Sequence, residues 1–131
     1  MRIDVAVIDG WLQCIALEGE LDAYTAPQFM ESVTATLDTG CSWLVVDLRR
    51  VEYIDSVGLG ILIGGAKRAG EKNGDMAVAC NRPNVKRVFE VSGTAELLNV
   101  VDGLDEAKDM LASERADRSS GCSSGSEGED A

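Results

Sequence analysis

The chain has 131 residues, 45% hydrophobic but only 5% aromatic, which suits one compact domain with an aliphatic core. Its formal net charge of −11 leaves no basic surface to displace counterions from nucleic-acid phosphates, which excludes nucleic acid as a partner. It has no histidine, which removes Ser-His-Asp and Cys-His catalysis and most catalytic zinc sites. Residues 3–8 alternate, with Ile3, Val5 and Val7 on one face, and Asp9-Gly10 follows as a hairpin signal. Trp11 to Glu18 reads as the returning strand and Gly19-Glu20-Leu21-Asp22 as a loop. Thr25 as a cap and Pro27 in a first turn predict a helix. Its apolar face is Phe29, Val33 and Leu37, and Gly40 lies past its end.

Trp43 to Leu48 is a nearly continuous apolar run, the pattern of a central strand buried on both faces. Ser56 to about Glu71 reads as a helix with Leu59, Leu62, Ile63, Ala66 and Ala69 along one side, stopped by Asn73-Gly74. Met76 to Cys80 is a further buried strand. Pro83 to Val91 is a short helix with Val85, Val88 and Phe89 inward. Leu97 to Val101 is a last strand, and Leu104, Ala107 and Leu111 mark a final helix. A hairpin followed by alternating helices and strands implies an α/β fold with a mixed sheet and parallel strand pairs. From about Ser113 the composition turns to Ser, Gly and acidic residues. Residues 1–112 are therefore read as one domain and 113–131 as a disordered acidic tail.

Cys14, Cys41, Cys80 and Cys122 form no metal-ligand spacing, and nothing else implies a metal or cofactor. Met1-Arg2-Ile3-Asp4 lacks the apolar stretch of a signal peptide, and the apolar run Val57–Ala66 is too short to span a bilayer. These features predict a cytoplasmic chain with reduced thiols and no membrane contact. An acidic metal site of Asp22, Asp47 and Asp55 is weaker than reading them as a loop acid, a strand-end acid and a cap. Gly58-x-Gly60 opens a helix after a strand. Ile63 breaks a dinucleotide fingerprint, and Ala66 after Gly65 breaks a phosphate-binding loop.

The informative segment is Tyr53-Ile54-Asp55-Ser56-Val57-Gly58-Leu59-Gly60, between the central strand and the second helix. Loops at the carboxyl ends of strands are where partners meet open α/β sheets. A serine before a helix is ordinarily an N-cap. Here Asp55 can take that role, which leaves the Ser56 hydroxyl to solvent at a helix N-terminus that favours negative charge. Gly58 and Gly60 leave little side-chain bulk beside it. Close approach of a partner and close packing on the sheet are both open as their reason.

Asp55-Ser56-Val57-Gly58-Leu59-Gly60 resembles the phosphorylation-site motif of the anti-sigma factor antagonist family, built on the STAS domain. Gly19-Glu20-Leu21-Asp22 with Thr25-Ala26, Val45-Val46-Asp47-Leu48, and Val88-Phe89-Glu90-Val91-Ser92-Gly93 extend the resemblance over about residues 3–112. The resemblance implies a non-enzymatic regulator. Unphosphorylated, such a protein binds an anti-sigma factor that is also a serine kinase of the GHKL type and frees a sigma factor. Phosphorylation ends the interaction and a phosphatase restores it. Carried over, Ser56 is the phosphoacceptor, Asp22 helps present it, and Asp55, Val57, Gly58 and Gly60 shape the partner surface. The alternative is a STAS subunit of a lipid or anion transport complex without a phospho-switch. The intact Asp55-Ser56 pair favours the first.

Overall fold

The computed structural model describes the backbone of residues 1–123 and the side chains of residues 1–118. Nine elements follow in order: β1 (Arg2–Asp9), β2 (Leu12–Leu21), α1 (Ala26–Asp38), β3 (Trp43–Ile54), α2 (Ser56–Glu71), β4 (Asp75–Ala79), α3 (Pro83–Ser92), β5 (Val100–Val101) and α4 (Leu104–Ser123). The five strands form one mixed sheet in the order β1-β2-β3-β4-β5. β1 and β2 are the antiparallel hairpin, and every later neighbour is parallel. The mixed α/β architecture read from the alternation is the one observed.

Side-chain alternation divides the core between the two sheet faces. Leu44, Val46, Leu48, Met76 and Val78 meet Phe29 and Val33 of α1, Leu62 of α2 and Phe89 of α3 on one face. Leu12, Cys14, Trp43, Val45, Ala77 and Ala79 meet Ala107 and Leu111 of α4 on the other. β3 is thus covered on both sides through Leu48, which is why Trp43–Leu48 is continuously apolar. Gly65 lets α2 press on the sheet, since a Cβ there would lie 2.9 Å from Met76 Cε.

Three boundaries differ from the sequence reading. Gly19–Leu21 belong to β2, not to a loop, and pair with Val51, Tyr53 and Ile54 of a β3 that runs six residues past Leu48. Gly19, at φ 115°, supplies the backbone for the register shift between Gly19 and Glu20. β5 is only Val100–Val101, because residues 95–99 turn beforehand and Asn99 takes a left-handed φ of 51°.

The third difference is the end of α4. Composition places the domain boundary at 112, yet the helix continues to Ser123. Arg115 Cζ lies 4.7 Å from the Trp11 ring centroid and Arg118 Cζ lies 5.1 Å from that of Trp43. The two rings themselves meet edge to face at 6.1 Å. Arg118 also donates to the Gly74 carbonyl at 2.7 Å. The cations thereby clamp the added turns to the sheet. The remainder of the expected tail, 124–131, lies outside the described residues. Ending the chain at 112 removes both cation–π contacts and this hydrogen bond. The expected loss is about 2 kcal/mol, lowering Tm by about 5–10 °C in a thermal melt. An unchanged Tm would show that the clamp carries no stability.

Candidate functional site

Parallel pairing of β2 and β3 ends with Leu21 beside Ile54, so the chain leaves both strands at the same point. Asp22 follows one and Asp55-Ser56 the other. The Asp55 amide donates to the Leu21 carbonyl at 3.3 Å, which pins the two loops together. The six site residues named from the sequence, Asp22, Asp55, Ser56, Val57, Gly58 and Gly60, therefore gather at one end of the sheet.

Each has a distinct local task. Asp55 is extended (φ −107°, ψ −175°) and its carboxylate accepts from the Gly58 amide at 2.8 Å, so it is the N-cap of α2. Ser56 is exposed, and among the described residues its hydroxyl has no hydrogen-bond partner. Val57 is 47% exposed. Gly58 is buried against β2: a Cβ would lie 2.2 Å from the Leu21 carbonyl oxygen and 3.0 Å from Ile54 Cγ1. Gly60 has nothing within 4 Å of a Cβ position. Close packing is the reason at Gly58, whereas Gly60 borders open space. Replacing Asp55 with Ala removes the cap and is expected to cost about 1 kcal/mol in urea unfolding, with Asp55→Ser recovering most of it. Equal midpoints for all three proteins would remove the cap assignment.

Asp22 organises its own loop. Its Oδ1 accepts from the amides of Tyr24 at 3.0 Å and Thr25 at 3.1 Å. Thr25 occupies the N-cap position of α1, but its side chain makes no cap hydrogen bond. Its hydroxyl instead donates to the Glu20 carbonyl at 2.8 Å and accepts from the Asp22 amide at 3.0 Å. It is a buried tie between the end of β2 and α1. Asp47 is engaged elsewhere, in a bidentate pair with Arg49 at 2.9 and 3.1 Å. Among the described residues no group of three acidic or thiol side chains is placed to hold a metal ion. Burial, and secondarily the Asp47 charge, push the Cys14 thiol up to about 11, so it is protonated at neutral pH.

The structure adds residues that the sequence pattern did not single out. α3 is drawn to the site because Arg82 Nε donates to the Arg49 carbonyl at 3.2 Å and Asn84 Nδ2 to the Glu52 carbonyl at 2.9 Å. A largely apolar groove of about 420 Å³ results between α2 and α3, with Ser56 and Leu59 on one wall and Asn84, Arg87, Val88 and Val91 on the other. Those four α3 residues have i, i+3, i+4, i+7 spacing, the sequence signal for one helix face. Val88 packs inward against the core as its spacing predicts and also borders the groove, while Val91 is 76% exposed. Tyr24, 92% exposed, and Tyr53, 50% exposed, flank the Asp22 and Asp55 loops in sequence. Among the described residues no helix is long and apolar enough to cross a membrane.

The STAS domain family model matches residues 2–107. Over 91 residues the chain is 31% identical to the anti-sigma-B factor antagonist of Staphylococcus aureus, covering 70% of this chain and 84% of that protein. It is similar to the crystal structure of an anti-sigma factor antagonist from Mycobacterium paratuberculosis, with a TM-score of 0.74 and 27% identity over 85% of this chain and 95% of that one. It also shares the fold of the Bacillus cell fate determinant SpoIIAA in its phosphorylated form, with a TM-score of 0.66 and 21% identity over 84% of this chain and 99% of that one. With the family model matched from β1 into α4 and a relative matched over most of its length, the chain belongs to the anti-sigma factor antagonist family of STAS domains.

Proposed function

We propose that this chain binds an anti-sigma factor of the GHKL serine kinase type while Ser56 is unmodified, freeing a sigma factor in the cytoplasm. Phosphorylation of Ser56 ends the interaction, and a phosphoserine phosphatase restores it. One observation carries the reading: the Ser56 hydroxyl is exposed at the first residue of α2, and Asp55 performs the capping. The names of the Staphylococcus and Mycobacterium relatives support the partner class.

The chain acts here as ligand and substrate, not as catalyst. The kinase transfers the γ-phosphoryl group of ATP to Ser56 Oγ: the bond to the β-phosphate oxygen breaks, ADP leaves, and the hydroxyl proton is released. A phosphoserine carries about −1.5 to −2 charges at pH 7. The helix N-terminus tolerates that charge, so the fold persists and the loss falls on the interface. Exposed Val57 and the open surface at Gly60 supply apolar and flat contact area, and Asp22 fixes the neighbouring loop.

The test begins with a preformed complex of the sigma factor and its anti-sigma factor. Wild type and Ser56→Ala are both expected to release the sigma factor. On adding ATP, release by wild type decays as Ser56 is modified, while release by Ser56→Ala persists. Equal decay for the two would contradict the proposal.

A further inference from the structure

We infer that Arg87 of α3 receives the phosphate once Ser56 is phosphorylated, so that the modified side chain folds back into the α2–α3 groove of its own domain. This rests on the reading of Ser56 as the phosphoacceptor. Ser56 and Arg87 line opposite walls of the same groove, and Arg87 is the one charged side chain among its described lining residues.

Of the neighbouring cations, two are in ion pairs and Arg82 has its Nε committed to a carbonyl. Lys86 pairs with Asp102. Arg49 pairs with Asp47. Arg82 donates its Nε to the Arg49 carbonyl. Arg87 is exposed and shares a second groove with Glu90 and Asp102, but among the described residues no carboxylate lies within ion-pairing distance of it. A guanidinium fork matches two phosphate oxygens, and apolar walls such as Leu59, Val88 and Val91 strengthen that pairing by lowering the local dielectric.

The local charge also calls for a cation. The Asp55 carboxylate sits one residue before Ser56 and already occupies the Gly58 amide. A phosphate on Ser56 therefore meets a fixed negative neighbour and a helix terminus with one donor spent. Arg87 offsets that repulsion.

The test uses the full chain with phosphoserine incorporated at position 56 during translation, so it does not depend on any kinase. The second ionisation of the phosphate is followed by 31P NMR against pH in wild type, Arg87→Gln, Arg87→Lys and Lys67→Gln. Lys67 is exposed near the far end of α2 and controls for the loss of one positive charge. The phosphate is expected to titrate about 0.5–1 pH unit lower in wild type than in Arg87→Gln. Arg87→Lys is expected between them, because it keeps the charge but loses the fork, and Lys67→Gln is expected to match wild type. Equal titration in wild type and Arg87→Gln overturns the inference. So does an equal upward shift in Lys67→Gln, which would mean a diffuse field effect. Failure of Ser56 to accept phosphate from the kinase would overturn the function reading and leave this titration standing.

Discussion

Ser56→Asp is expected to bind the anti-sigma factor about a hundredfold more weakly than wild type, a change of about 3 kcal/mol, whereas Ser56→Ala binds within about threefold. Titration calorimetry or surface-based binding measures both. The asymmetry follows from position. Ser56 is exposed and, among the described residues, unpartnered, so deleting its hydroxyl removes no internal hydrogen bond. Adding charge there changes what a docked partner meets, and one unpaired charge in a desolvated interface costs several kcal/mol. The backbone is expected to stay in place, because α2 retains its Asp55 cap in both variants. Amide NMR spectra of Ser56→Asp should therefore change only near the start of α2 and its neighbouring loops. Equal affinity for the two variants would contradict the interface role of this position.

The second large effect separates two glycines that look equivalent in the motif. Gly58→Ala places a Cβ 2.2 Å from the Leu21 carbonyl oxygen and 2.9 Å from its carbon, and backbone cannot rotate away as a side chain can. Either α2 tilts or the Leu21–Asp22 segment is displaced, at a cost of about 1–3 kcal/mol and a fall in Tm of about 5–10 °C. Gly60→Ala meets nothing within 4 Å. Its backbone is helical, so alanine is expected to raise stability by about 0.5–1 kcal/mol. Thermal melts of the two variants are expected to move in opposite directions. A Gly58→Ala protein as stable as wild type would mean that the Leu21–α2 contact does not constrain the site.

Most of the architecture is legible because the sheet is buried and periodic. The continuous run Trp43–Leu48, the alternation of β1 and the helical spacing of Phe29, Val33 and Leu37 each follow from one face meeting the core. Elements run longer where distant partners hold them. Arg49, Arg50, Glu52 and Tyr53 end the apolar pattern of β3, yet its pairing with β2 continues to Ile54. The Ser/Gly composition after Ser113 hides a helix held by two tryptophans far away in sequence.

The site divides in the same way. Asp55, Ser56 and the glycines are contiguous and readable. Their association with Asp22 depends on β2 and β3 ending side by side. The groove with Arg87 depends on Arg82 and Asn84 reaching carbonyls more than thirty residues earlier, which no local pattern encodes.

Whether Ser56 is the switch is decided by mass-spectrometric localisation of phosphate after incubation with the cognate kinase and ATP. One phosphate is expected on Ser56 in wild type and none on Ser56→Ala. Phosphate on Ser56→Ala at wild-type stoichiometry would contradict it.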